Sequence, residues 1–182
     1  SSDKPIAVTV SGIVRTNTTC ASYFADQITT SSNIGKDYII LRGNGNTDRA
    51  FILATLNASS LTITSGTTTT GWMINFGETY SVNTIANPVT YIKSDKPVYV
   101  LHTGGYGCKL SGAQVTPAYC AGSYTSAFPR LSADSLNLNI YTRTGFQNNF
   151  TLTSNGSPVA VPPANFTVVA GTGGSLVAAR MY

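Results

Sequence analysis

Apolar and polar residues along this chain alternate with the two-residue period of strands far more often than with the longer period of a helix. Residues 4–14 alternate apolar with small or polar side chains, the pattern of a strand with one buried face. Residues 37–42 form a short apolar run closed by Gly43-Asn-Gly-Asn46, and 50–56 form the next run, so the two read as a hairpin across that turn. Further strands are predicted at 61–64, 71–75, 79–82, 89–93, 98–102, 136–142, 150–153, 158–161, 166–169 and 176–182. Within 136–142, Leu136, Leu138 and Ile140 share the face expected to turn inward. Helical signal is thin. Residues 21–29 read as a turn or a short helix carrying Phe24 and Ile28, and elsewhere Ser, Thr and β-branched residues disfavour helix. Many short strands at short spacings predict an all-β fold of antiparallel strands, sandwich-like or closed.

The pattern also repeats. Ser2-Asp-Lys-Pro-Ile-Ala-Val8 returns as Ser94-Asp-Lys-Pro-Val-Tyr-Val100, and Cys20-Ala-Ser-Tyr23 returns as Cys120-Ala-Gly-Ser-Tyr124. Phe51-Ile-Leu-Ala-Thr55 is answered, slightly out of step, by Phe150-Thr-Leu-Thr-Ser154. Two pseudo-repeats are therefore predicted, 1–93 and 94–182. No Pro/Gly/Ser linker divides them, so they are expected to pack together, as two sandwich-like units or one merged domain.

Composition narrows the function classes. Charged residues are 10% of the 182, against roughly 25% in an ordinary globular chain, so Thr, Ser, Asn and Gly must supply the polar surface. A 42% hydrophobic share with 10 Tyr and 7 Phe excludes a disordered segment. The net charge of +4 comes from scarce acids rather than clustered bases, which argues against a nucleic-acid groove. No apolar run approaches the roughly 20 residues of a membrane span, so no membrane insertion is expected. The chain begins Ser1-Ser2-Asp3 without an apolar leader and ends on a predicted strand, so it reads as a segment of a longer protein.

Of three cysteines, Cys108 and Cys120 flank a short loop that a disulfide would staple, contributing about 3 kcal/mol by the chain-entropy model. Cys20 is then left unpaired; the alternative is three reduced thiols. The sequons at Asn17, Asn57, Asn149, Asn155 and Asn165 follow from a composition rich in Asn and Thr.

With Ile34-Gly-Lys-Asp-Tyr-Ile-Ile40, Phe76-Gly-Glu-Thr-Tyr80, the repeated Ser-Asp-Lys-Pro phrase and the Cys…Tyr-Cys segment in view, the chain resembles the IgGFc-binding protein N-terminal family over nearly its whole length. Its Thr/Asn/Gly-rich character resembles the bacterial branch found in large adhesin-like surface proteins. Thr103-Gly-Gly-Tyr-Gly-Cys108 stands where the family carries Ser-Gly-His before its first Cys, and the first repeat lacks that Cys. A repeated β-rich unit with almost no catalytic residue types suggests a displayed binding or spacer region; Fc binding itself is not carried over from the resemblance.

Catalytic chemistry finds little material. His102 is the sole histidine, so any Ser-His-Asp or Cys-His device would need it; otherwise it is a hydrogen-bonded histidine at a strand end. The seven acids are dispersed, and no spacing proposes a glycosidase pair. Asn44, Asn46 and Asp48 alternate like part of a calcium loop, but one acid is too few and a turn is the better reading. Asp3 and Asp95 read as caps on local backbone. No catalytic set, metal site or cofactor is expected.

Binding candidates lie in residues 104–120, the longest stretch without strand signal. It carries Tyr106, Lys109, Gln114 and Tyr119, with Tyr124 beside it, and Gly104, Gly105 and Gly107 would let a ligand approach backbone. The same glycines suit a merely tight loop. Trp72, in the alternating run 71–76, is either core or a platform for stacking sugar.

These features predict a non-enzymatic adhesion, binding or spacer module of a large secreted or cell-surface protein, with a carbohydrate-binding module as the alternative. The partner would be a protein or glycan on a host or neighbouring cell. A glycan module should expose a row of aromatics, whereas an enzyme should bring His102 and a carboxylate together in a concave pocket.

Overall fold

The computed structural model describes residues 4, 6–15, 21–43, 45–106, 109–119, 125–127 and 138–181. Among them the chain is built of β-strands and three single-turn 3-10 segments, in several antiparallel sheets. Its compact units are 1–123 and 124–182, and one strand carries the chain unbroken through positions 93 and 94.

The first unit is organised around that strand. In chain order its strands are β1 (Val8–Arg15), β2 (Ala21–Ile28), β3 (Gly35–Leu41), β4 (Arg49–Ala54), β5 (Ser59–Ser65), β6 (Thr68–Ile74), β7 (Thr79–Asn83), β8 (Val89–Tyr106) and β9 (Lys109–Gln114). β8 is long enough to serve two sets of neighbours. Its first half pairs with β3 and β5, and its second half with β4 and β9. β6 then adds to β5 and β7 to β4, which curls the sheet into a half-barrel.

Alternation decides what the curl encloses. Ala50, Ile52 and Ala54 from β4, Leu61 and Ile63 from β5, Ile74 from β6, and Ile92, Val98 and Val100 from β8 point inward, joined by Tyr38 and Ile40. Fully burying one such aliphatic side chain contributes about 1.5–3 kcal/mol, so this cluster holds the unit together.

Three sequence expectations change here. Residues 21–29 form no helix: β2 pairs with β1 residue for residue from Ala21 to Ile28, and this ladder outweighs weak helical propensity. Residues 37–42 and 50–56 form no hairpin: β3 and β4 lie on opposite sides of β8, and the Gly43–Asn46 turn begins a crossing over that strand. Residues 104–120 are no open loop: β9 pairs back on β8 from Leu101↔Gln114 to Tyr106↔Lys109, with Gly104, Gly105 and Gly112 masking the two-residue period. Leu110, buried, is the apolar position that marks β9 as strand.

The second unit contains β10 (Leu138–Arg143), β11 (Leu152–Ser154), β12 (Ser157–Val159), β13 (Thr167–Val168) and β14 (Leu176–Met181). β14 lies between β10 and β13, and β11 and β12 form a separate hairpin. The expected strand at 136–142 is β10, with Leu138 and Ile140 half-buried; Leu136 lies outside the described residues.

Candidate functional site

The motif residues that dominate the sequence are spent on the frame. Tyr38, 1% exposed, donates its hydroxyl to the Val98 carbonyl at 2.5 Å and accepts the Gly35 N–H at 2.9 Å. Asp37 accepts the Tyr91 hydroxyl, and burial together with that bond pushes the Tyr91 pKa up. Asp95, expected as a cap on local backbone, instead accepts the Ser60 N–H, 35 positions away, at 2.7 Å. Lys96 donates its Nζ to the Asn57 and Ala58 carbonyls, and Pro97 accepts the Thr55 hydroxyl at 2.6 Å. Gly77 (φ +78) turns the chain and Glu78 caps the Asn75 N–H at 2.7 Å, which delivers Tyr80 to the core edge. The signature thus ties loop 55–60 and β3 to β8.

The predicted binding residues fall in several places. Lys109 is exposed at the start of β9 and Tyr119 is 44% exposed. Gln114, half-buried, accepts the Thr29 N–H through Oε1 at 2.9 Å, while its own N–H donates to Asp26. The backbone of Tyr106 faces Lys109 across the hairpin. Tyr124, Cys20, Cys108 and Cys120, with the expected disulfide, lie outside the described residues.

Trp72 is not core. It is 49% exposed, on the face it shares with Leu61 and Ile74, and its ring lies 4.8 Å from that of Tyr80 at 32°. Among the described strands β6 is an edge, paired with β5 alone. Met73 is 69% exposed on its other face, and Phe76, 70% exposed, stands on the turn after it. These three exposed side chains, on the two faces of β6 and the turn after it, form an apolar rim at an edge that no other described strand pairs, a surface that monomeric proteins usually cover or blunt. Sequence reasoning singled out only Trp72. The signal for the rest was a Thr-rich strand ending in large apolar residues on both faces.

A second feature joins residues far apart in sequence. The crossing segment 42–48 is held down on β8 by the Asn46 N–H and the Thr47 hydroxyl, both donated to the Gly105 carbonyl at 3.1 and 2.9 Å. The approach is so close that a Cβ on Gly45 would stand 2.0 Å from that carbonyl. Asp48 is thereby fully buried; its Oδ1 accepts the Gly43 N–H at 2.8 Å and meets His102 Nε2 at 3.2 Å. Burial lowers the His102 pKa, outweighing the opposing pull of Asp48. The imidazole is therefore neutral, and because a carboxylate only accepts, Nε2 carries the hydrogen and Nδ1 is an acceptor. The pair lines an open cleft of about 520 Å3 with Gly104, Ser111, Gly112 and Thr116. A carboxylate and the sole histidine thus share a concave pocket, yet no nucleophile among the described residues is hydrogen-bonded to the imidazole. Asp48 was the partner that sequence missed, since only the crossing brings it to β8.

A separate apolar cavity of about 480 Å3 lies between the β1–β2 hairpin, through Val8, Val10 and Ile28, and the outward residues Phe51, Leu53 and Tyr99.

The described residues thus form a curled all-β frame with exposed apolar side chains at one edge strand. The IgGFc binding protein family matches residues 1–178, and the chain belongs to that family. Domains of this family occur in secreted or surface proteins, and it is not a known enzyme family. No curated protein and no solved structure matches the chain. No helix among the described residues is long and apolar enough to cross a membrane.

Proposed function

We propose that this chain is a non-enzymatic adhesion module of a large extracellular, adhesin-like protein of the bacterial branch of its family. It holds a surface protein of a host or neighbouring cell. The observation that carries this reading is the apolar rim of Trp72, Met73 and Phe76 on the unpaired edge of β6. Exposed apolar residues beside free backbone donors and acceptors offer a partner both affinity and a strand edge to pair with. Lys109 and Tyr119, both exposed, belong to the same proposal as further contacts, with Gln114, Tyr106 and Tyr124 as candidates named from the sequence. The repeat of 1–93 in 94–182 we read as a tandem duplication.

A carbohydrate-binding module is the second reading, favoured by one observation: the Trp72 ring is half exposed and braced by Tyr80, as a sugar-stacking platform requires. Bead retention on intact cells separates the readings. Beads coated with the chain should be retained, and the double variant Met73→Asp/Phe76→Asp or protease treatment of the cells should abolish retention. Loss on glycosidase treatment, and in Trp72→Ala, selects the glycan reading. Retention no better than that of uncoated beads makes the chain a spacer and overturns both.

A further inference from the structure

The structure points to a second ligand site, independent of the rim: we infer that the cleft at Asp48 and His102 binds a primary ammonium group.

The argument begins with an unbalanced charge. Asp48 is completely buried, and its Oδ2 has no hydrogen-bond partner among the described residues. Its one basic neighbour is an imidazole that burial holds neutral, so that contact is a hydrogen bond and leaves the negative charge uncompensated. Buried charges in folded proteins are paired, because removing an ion from water costs several kcal/mol or more. Asp48 borders the floor of the cleft, so the missing partner would come from that side.

The walls define the chemistry of that partner. Asp48 Oδ2 and His102 Nδ1 are both acceptors, so the ligand must donate, and the carboxylate asks for positive charge. An ammonium carries three donors and one charge in a compact head. Five of the other lining residues, Gly43, Gly104, Ser111, Gly112 and Ala113, are small, and Val115 adds an apolar wall suited to an alkyl stem beside Gln114 and Thr116. Gly104 is required for this arrangement, since a Cβ there would lie 2.8 Å from Asp48 Oδ1. A metal ion is a poorer occupant, because no third His, Cys, Asp or Glu among the described residues joins the pair. The ammonium could belong to a free amine or to a lysine side chain of a bound protein.

Because His102 is the only histidine, its ring nitrogens give unambiguous NMR signals. The full chain is titrated with n-butylammonium, with a lysine-containing peptide, and with n-butanol, tetramethylammonium and calcium as controls. Saturable movement of the His102 ring signals is expected with the two primary ammonium probes and with none of the controls. Saturation by the peptide at concentrations at least tenfold lower points to a protein lysine; equal affinity points to a free amine. Asp48→Asn should weaken binding at least tenfold. Should that variant unfold, Ser111→Leu, a substitution at an exposed position of β9 that narrows the cleft, should do the same. No movement with either ammonium, or equal movement with n-butanol, tetramethylammonium or calcium, overturns the assignment.

Discussion

At the scale of residues, the chain assigns several of its few charged side chains, and a buried tyrosine, to long-range ties. Tyr38, Asp95 and Lys96 each bond backbone far away in sequence, and Asp48 fastens the crossing segment to β8. His102 makes one of these ties titratable. Its folded pKa lies below the ordinary 6.5, so as pH falls through 6.5 the unfolded chain takes up a proton that the folded chain refuses. Stability should therefore be flat with respect to this group above pH 6.5 and fall below it. Urea melts from about pH 7 to 5.5 should show a steeper loss for the native chain than for His102→Gln. Identical slopes would mean that the imidazole is not held neutral.

At the scale of elements, strand content was legible because alternation of apolar and polar residues survives in β4, β5 and β8. Leu61 and Ile63 face inward while Thr62 faces out, as the pattern alone requires. Pairing was not legible. The Gly43–Asn46 turn has hairpin chemistry, yet the chain uses it to cross β8, since β3 and β4 pair with opposite edges of that strand and meet it from the two sides at Val98. β9 was hidden by glycine, which removes the side chains that would have shown a period. Asp48 was hidden with it, for its role exists only once the crossing is made. β8, paired on both sides at 90–93, 98 and 101–103, should be the slowest element to exchange its amide hydrogens. β6, paired on one side only, should exchange sooner. Hydrogen-exchange mass spectrometry showing β8 no better protected than β6 would contradict this arrangement.

At the scale of the whole molecule, the frame and the contact surface use different residues. The Gly35-Lys-Asp-Tyr38, Gly77-Glu78 and Asp95-Lys96-Pro97 side chains that carry the family signature hold strands and turns together. The rim of Trp72, Met73 and Phe76 holds nothing in comparable depth. This division would let rim residues change without loosening the ties beneath them. The most direct test measures thermal stability and bead retention side by side for two variants. Tyr38→Phe orphans the Val98 carbonyl and the Gly35 N–H, which should cost about 2 kcal/mol and lower Tm, while the folded protein still retains cells. Met73→Asp/Phe76→Asp should leave Tm unchanged and abolish retention. If the rim variant melts early, or if it keeps full retention, frame and contact surface are not separate and the account fails.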